Sequence, residues 1–128
     1  MSAADLPAEV LALIHGPVRT YAHVELLLAL HARRPDPVPL ADLAKATSVT
    51  TLDGARGCLE ELTAAGLAAR AGGDGWRLAP RDAASREAVE SLARAFDEKP
   101  VTLVRALYEP RAKPLQSFAD AFRLRDDG

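Results

Sequence analysis

Residues 59–76 read LEELTAAGLAARAGGDGW, and this stretch decides the fold. Its first two leucines lie three residues apart, which is the spacing of one helical face. Gly66 is expected to end that helix, because glycine adopts the left-handed conformation of a C-cap at little cost. The segments 67–71 and 76–79 are short and extended, and the glycine-rich turn between them is typical of a β-hairpin. The stretch therefore predicts a helix that leads directly into a hairpin.

The sequence before this stretch predicts four helices in all. The long helix that ends at Gly66 starts near Thr51, where Thr50 and Asp53 have the spacing of a capping box. Its inward-facing residues are expected to be Leu52, Ala55, Leu59 and Leu62. Apolar periodicity bounded by proline and glycine predicts three earlier helices, at about residues 7–15, 19–34 and 40–46. A turn at 47–50 is expected to join the last of these to the long helix.

After the hairpin, the pattern predicts helices at about residues 80–97 and 101–108, followed by an amphipathic segment from Leu115 to about Arg123. The apolar stripe of that segment consists of Leu115, Phe118, Ala119 and Phe122. This stripe covers the domain's own core, joins a dimer or docks on a partner, and the sequence leaves these alternatives open. We divide the chain into an N-terminal helical extension, a core and C-terminal helices, at residues 1–18, 19–79 and 80–125. The predicted fold class is mainly α with a small β-hairpin wing.

The composition fits one cytoplasmic domain. Of the 128 residues, 48% are hydrophobic and 5% are aromatic, so leucine, alanine and valine are expected to build most of the core. The 16 Lys+Arg and 18 Asp+Glu give a net charge of −2, which disfavours the strongly basic class of nucleic-acid binders. The single cysteine, Cys58, excludes an intrachain disulfide, and no apolar run reaches the ~18 residues of a membrane span. We therefore expect a cytoplasmic protein without a membrane partner.

Two motifs carry a family resemblance: LADLA at residues 40–44, and LEELTAAGL at residues 59–67 with the glycine-rich hairpin behind it. Over residues 19–79 the sequence resembles MarR-like and related bacterial transcriptional regulators. The resemblance implies a winged helix-turn-helix fold with additional C-terminal helices. It also implies dimerisation through terminal helices, and DNA binding by the long helix and the wing. Because one fold hosts many functions, the residues on that surface have to decide between partners.

The surface that this fold normally presents to DNA is poor in cations here. The exposed face of the long helix is expected to consist of Thr51, Gly54, Arg56, Gly57 and Glu60. In this helix a single arginine stands against three carboxylates, and the wing tip carries Asp74 between Arg70 and Arg77. Carboxylates are repelled by phosphates, and guanine is usually read by Arg or Lys. The charge pattern therefore favours a protein-interaction role.

The sequence supports two functional hypotheses. The favoured one is a regulatory module that binds a protein partner, or a second copy of itself, through the acidic long helix or the C-terminal helices. The alternative is a dimeric DNA-binding transcriptional regulator, in which Thr51 and Arg56 contact bases while Arg70 and Arg77 contact phosphates. Small-molecule sensing between the core and the C-terminal helices is a third class, for which the sequence carries no ligand signature.

The paired glycines of the long helix also have two interpretations. Each glycine inside a helix costs about 1 kcal/mol relative to alanine, so a reason for Gly54 and Gly57 is expected. One is a bare patch that lets the backbone of a partner approach closely. The other is tight packing against a neighbouring helix of the same domain, which is the more common reason for a conspicuous helix glycine.

No catalytic or metal-binding pattern is visible. His15, His23 and His31 are spaced by eight residues, whereas two imidazoles on one helix face need a spacing of three or four. We expect these histidines to be helix-surface or half-buried groups. Cys58 is expected to be a small core residue on the inner flank of the long helix. The sequence thus predicts neither an enzyme nor a metal site nor a cofactor.

Overall fold

The computed structural model describes residues 6–48 and 51–109. The helices are α1 (Ala8–Ile14), α2 (Tyr21–Arg33), α3 (Leu40–Lys45), α4 (Leu52–Ala64), α5 (Ala83–Glu98) and α6 (Pro100–Leu107). The strands are β1 (Val38–Pro39), β2 (Ala68–Ala71) and β3 (Gly75–Leu78). The amphipathic stripe of Leu115, Phe118 and Phe122 lies outside the described residues, so its role stays a prediction.

The sheet has three antiparallel strands in the order β1-β3-β2. The predicted hairpin is confirmed, with Arg70 opposite Trp76, and β1 pairs with the other edge of β3 through Val38 opposite Trp76. The sequence analysis missed β1, because a two-residue strand has no periodicity to detect. Along the chain the order α2, β1, α3, α4, β2, β3 is that of a winged helix-turn-helix, so the predicted fold class is confirmed.

The ends of α4 are set by local hydrogen bonds. Its N-cap is Thr51, whose hydroxyl accepts from the Gly54 amide at 3.0 Å, so the predicted cap at Thr50 was one residue too early. At the other end Gly66 has a φ of 80°, and the Leu67 amide bonds back to the Leu62 carbonyl, which confirms the predicted C-cap.

Helix α5 begins later than predicted. Its N-cap is Asp82, whose carboxylate accepts from the Ser85 amide at 2.8 Å, whereas the sequence analysis placed the start at Pro80. The prediction relied on the preference of proline for the first turn of a helix. A side-chain cap satisfies an otherwise unpaired amide, and here it decides the boundary.

One hydrophobic cluster extends from α1 to α6. Its centre is α2, which contributes four fully buried side chains, namely Val24, Leu26, Leu27 and Leu30. Ala55, Leu59 and Leu62 of α4 are buried as predicted, but Leu52 is 48% exposed, so its assignment to the core was wrong. Leu52 shares the apolar face but lies in the first turn of α4, where the core no longer covers that face.

Helix α1 packs against α5 on the same cluster. Val10, Leu13 and Ile14 of α1 are buried, as are Val89 and Leu92 of α5. A hydrogen bond from the Ser91 hydroxyl to the Glu9 carboxylate, at 2.8 Å, joins the two helices at the edge of this contact. The beginning of the described chain therefore lies beside its later helices. Among the described helices, none has the length and hydropathy that a membrane span needs.

Candidate binding surface

The exposed side of α4 presents an arginine paired with an aspartate, and a carboxylate, Glu60, that has no ion-pair partner within the described part of the chain. Arg56 and Asp53 form an ion pair in which Nη1 lies 2.9 Å from Oδ1. Thr51 and Glu60 are exposed, as the sequence analysis expected. An exposed pair of this kind contributes little to stability. It does, however, occupy the one arginine of α4, so this helix offers acidic rather than basic character to a partner.

The two wing arginines do not act together. The guanidinium of Arg70 lies 4.7 Å from the centroid of the Trp76 ring and donates to the Gly73 carbonyl at 3.4 Å. Arg77 is paired with Ala69 in the register, so it projects from the opposite face of the hairpin. Among the described residues Arg77 has no ion-pair partner. The structure thus separates the arginines that the DNA-binding alternative needs on one surface.

A cavity of about 510 Å³ lies between the start of α2 and the side of α4. Gly54, Gly57 and Cys58 form its α4 wall, and Tyr108 lies at its rim beyond the end of α6. Among the described residues, a Cβ atom at Gly57 would meet nothing within 4 Å. The packing interpretation is therefore wrong for Gly57 within this part of the chain, because no described neighbour excludes a side chain. The glycine instead leaves a groove open beside α4.

Replacing Gly57 with alanine is expected to raise the free energy of unfolding by about 0.5–1 kcal/mol. The new methyl group has room, and alanine loses less backbone entropy than glycine in a helix. Urea denaturation followed by circular dichroism measures the change. Gly66→Ala is the matched control and should destabilise, since Gly66 has a positive φ and a Cβ there would collide with the Arg81 guanidinium. A destabilised Gly57→Ala protein would contradict the open groove.

A polar network ties α2 to α4 along this cavity. Glu61 receives both terminal nitrogens of Arg19, at 2.9 and 3.3 Å, and the Nε2 of His23, at 2.7 Å. Since a carboxylate only accepts, Nε2 carries a hydrogen and donates it to Glu61, while Nδ1 is hydrogen-bonded to the Thr20 hydroxyl. The same hydroxyl caps α2 by accepting from the His23 amide at 3.2 Å. The network therefore fixes the start of α2 against the middle of α4.

The burial of His23 corrects the sequence analysis. Its side chain is 2% exposed, whereas a surface or half-buried imidazole was expected. The contact between Thr20 and His23 has a local signal in the sequence. Thr20 stands three residues before His23, which is the spacing between a helix N-cap and the backbone amide that donates to it. The partner Glu61 is 38 residues away, so only the tertiary fold brings the two together.

These contacts and burial shift the pKa values of two groups beside the cavity. Hydrogen bonds from Arg19, and then from His23, hold the pKa of Glu61 below its usual value. Burial, followed by the nearby Glu61 carboxylate, raises the pKa of the Cys58 thiol. A thiol with a raised pKa is a weaker nucleophile at neutral pH. Cys58 packs against the hydrophobic cluster but is only half-buried, so it is less buried than the predicted core residue. The charged groups that line the cavity, Arg19 and Glu61, neutralise each other.

A second exposed surface lies on α6. Val101 is 67% exposed and Tyr108 is 66% exposed, and both line a shallow apolar groove with Pro100 and Val104. Exposed apolar groups that form a continuous patch often mark an interaction surface. Within residues 6–48 and 51–109, by contrast, no three His, Cys, Asp or Glu side chains are grouped so that they would hold a metal ion.

Comparison with known proteins found no match to any family model, curated protein or solved structure.

Proposed function

We propose that this chain is a non-catalytic regulatory module of the winged-helix type, and that the exposed side of α4 binds another protein in the cytoplasm. The observation that carries the proposal is the ion pair between Arg56 and Asp53, because it neutralises the one arginine of α4. The neighbouring Glu60 is exposed and has no cationic partner among the described residues. A phosphate backbone approaching this helix would meet negative charge.

The borders of this exposed side of α4 have features that suit a protein partner. Leu52 is 48% exposed at the start of the helix, and Gly57 leaves an open groove on its flank. An apolar side chain surrounded by polar groups is the common form of a protein interface, with a dry centre and a charged rim. The complementary partner would offer an apolar pocket for Leu52 and a cation for Glu60. This partner chemistry agrees with the acidic character of α4.

A dimeric DNA-binding regulator is the second candidate. Arg77 supports it, because this wing arginine is exposed and has no ion-pair partner among the described residues. Arg56 would have to exchange Asp53 for a base or phosphate, and Arg70 would have to leave the Trp76 ring. Asp53 would stay beside Arg56 and repel the approaching phosphate, which offsets the contact that Arg56 would make. We therefore rank this candidate second.

Titration of the protein into fluorescent random-sequence duplex DNA at low salt separates the candidates. We expect no binding at low micromolar protein. The double variant Asp53→Asn/Glu60→Gln should bind DNA at low micromolar protein, where the wild type does not, because it removes two repelling charges and frees Arg56. Glu87→Gln/Asp97→Asn on α5 makes the same change in net charge elsewhere and is the control. Wild-type binding that weakens steeply with salt and is lost in Arg56→Ala would overturn the proposal.

The partner itself is found by comparing two variants. Proteins retained from cell extract by the wild type and by Glu87→Lys, but lost with Leu52→Asp/Glu60→Lys, are identified by mass spectrometry. Each is then purified and titrated against the wild type. Direct binding that the α4 variant abolishes supports the proposal, and equal binding by both variants refutes the assignment of the α4 side.

A further inference from the structure

A cleft of about 210 Å³ lies on another part of the molecule, between the end of α2, the end of β3 and the first turns of α5. Pro35, Leu78, Pro80 and Val89 give it apolar walls. Ligand sites are typically apolar clefts with a few polar groups that fix the orientation of the ligand. The size of this cleft suits a molecule smaller than a typical drug.

His31 lines this cleft, and its ring carries an unsatisfied polar atom. Its Nε2 is inaccessible to solvent and has no hydrogen-bond partner among the described residues. Burial, and then the charge of Arg34, lowers the pKa of His31 below its usual value of 6.5, so the ring is neutral at pH 7. Buried polar groups are nearly always paired with protein or ordered water, so this ring nitrogen is an exception among the described residues.

Two guanidinium groups give the cleft its charge. Arg34 is held there by a hydrogen bond of 2.6 Å from Nη1 to the His31 carbonyl, which leaves its other nitrogens to donate elsewhere. Arg86 has no ion-pair partner among the described residues, although Glu90 lines the same cleft one helical turn later. Two cations against one carboxylate leave the cleft net positive.

We propose that this cleft binds a small monocarboxylate with a compact apolar body. A guanidinium pairs with a carboxylate through parallel hydrogen bonds, so Arg86, which has no ion-pair partner among the described residues, would hold the charged end. The aliphatic walls would cover the body of the ligand, which would lie beside the neutral His31 ring. A phosphate ester fits less well, because its second negative charge would face Glu90.

Such a ligand would contact both the wing and the C-terminal helices. Leu78 is the last residue of β3, whereas Val89 and Arg86 belong to α5. Binding would therefore favour one arrangement of the wing relative to α5, which is the kind of differential contact that a regulatory ligand needs. The cleft shares no lining residue with the α4 cavity, so this inference stands or fails independently of the proposed function.

Cyclohexanecarboxylate is a suitable probe, because it joins one carboxylate to one saturated ring. We expect millimolar probe to shift the imidazole resonances of His31 in NMR spectra of the intact chain, with saturation. Arg86→Gln should weaken the apparent affinity by about tenfold, since it removes a charged hydrogen bond. Arg94→Gln, two turns further along the same helix, should leave the affinity unchanged.

Two analogues of the probe test the assignment of charge. Cyclohexylmethanol and cyclohexylmethylamine keep the ring but remove or reverse the charge, and neither should saturate the His31 shift. Equal binding of all three compounds, equal affinity in Arg86→Gln and wild type, or no shift of His31 with the carboxylate would each overturn the proposal. Circular dichroism of each variant confirms that it is folded before the titration.

Discussion

Replacing Trp76 with alanine is expected to lower the free energy of unfolding by about 3–5 kcal/mol. Trp76 is 2% exposed and lies on β3, the central strand of the sheet. Its loss leaves a cavity between the hairpin and the helices, and it removes the side chain that faces Val38 and Arg70 across the sheet. A domain of this size is typically stable by about 5–15 kcal/mol, so the variant approaches unfolding. Urea denaturation followed by far-ultraviolet circular dichroism measures the loss.

Arg70→Ala is the matched control for this variant. It removes the guanidinium that lies over the Trp76 ring but leaves the buried ring in place. An exposed cation–π contact of this kind contributes about 0.5–1 kcal/mol. If the two variants lose the same free energy of unfolding, burial of the Trp76 ring contributes little to stability. That result would contradict the position of Trp76 in the core.

Glu61→Ala is expected to cost about 1–2 kcal/mol, which is the penalty of leaving a buried donor unsatisfied. The donor is the Nε2 of His23, whose side chain is 2% exposed, and Arg19 loses its partner as well. The expected loss of free energy of unfolding lies at the lower end of the range for an unsatisfied buried donor, because water reaches the Glu61 carboxylate. Glu60→Ala, one residue earlier and exposed, should change stability by less than about 0.5 kcal/mol.

The Glu61 network also predicts the direction of a pH effect. The folded protein holds the pKa of Glu61 below its usual value, so the carboxylate stabilises the fold above the unfolded-state pKa of about 4.5. That contribution is lost as the pH falls through the lowered pKa of the folded state. In Glu61→Gln the corresponding part of the acid destabilisation should be absent. Denaturation midpoints between about pH 3 and pH 6 test this, and identical pH profiles would contradict it.

Local sequence signals predicted much of the fold. Gly66 and the glycine-rich turn gave the end of α4 and the hairpin, because both depend on the conformational freedom of glycine within a few residues. The strand β1 was missed, since its partner β3 lies almost forty residues along the chain. Leu52 was wrongly assigned to the core. Periodicity predicts which side of a helix a residue faces, but it does not predict where along the helix the core ends.

The candidate surface was predictable in part. The pairing of Arg56 with Asp53 follows from their spacing of three on a helix, and the opposite faces of Arg70 and Arg77 follow from the alternation of a strand. The bridge between His23 and Glu61 joins two helices whose relative placement no local pattern reveals. The cleft at His31 depends in the same way on three elements that meet only in the tertiary structure.

The contact of α1 with α5 sets a lower limit on the autonomous folding unit. The winged-helix connectivity spans only α2 to β3, yet the apolar side of that core continues into α1, α5 and α6. A fragment limited to the elements from α2 to β3 would expose this apolar side to water and would be prone to aggregate. Transplanting the segment from α2 to β3 into another protein therefore means carrying the flanking helices with it.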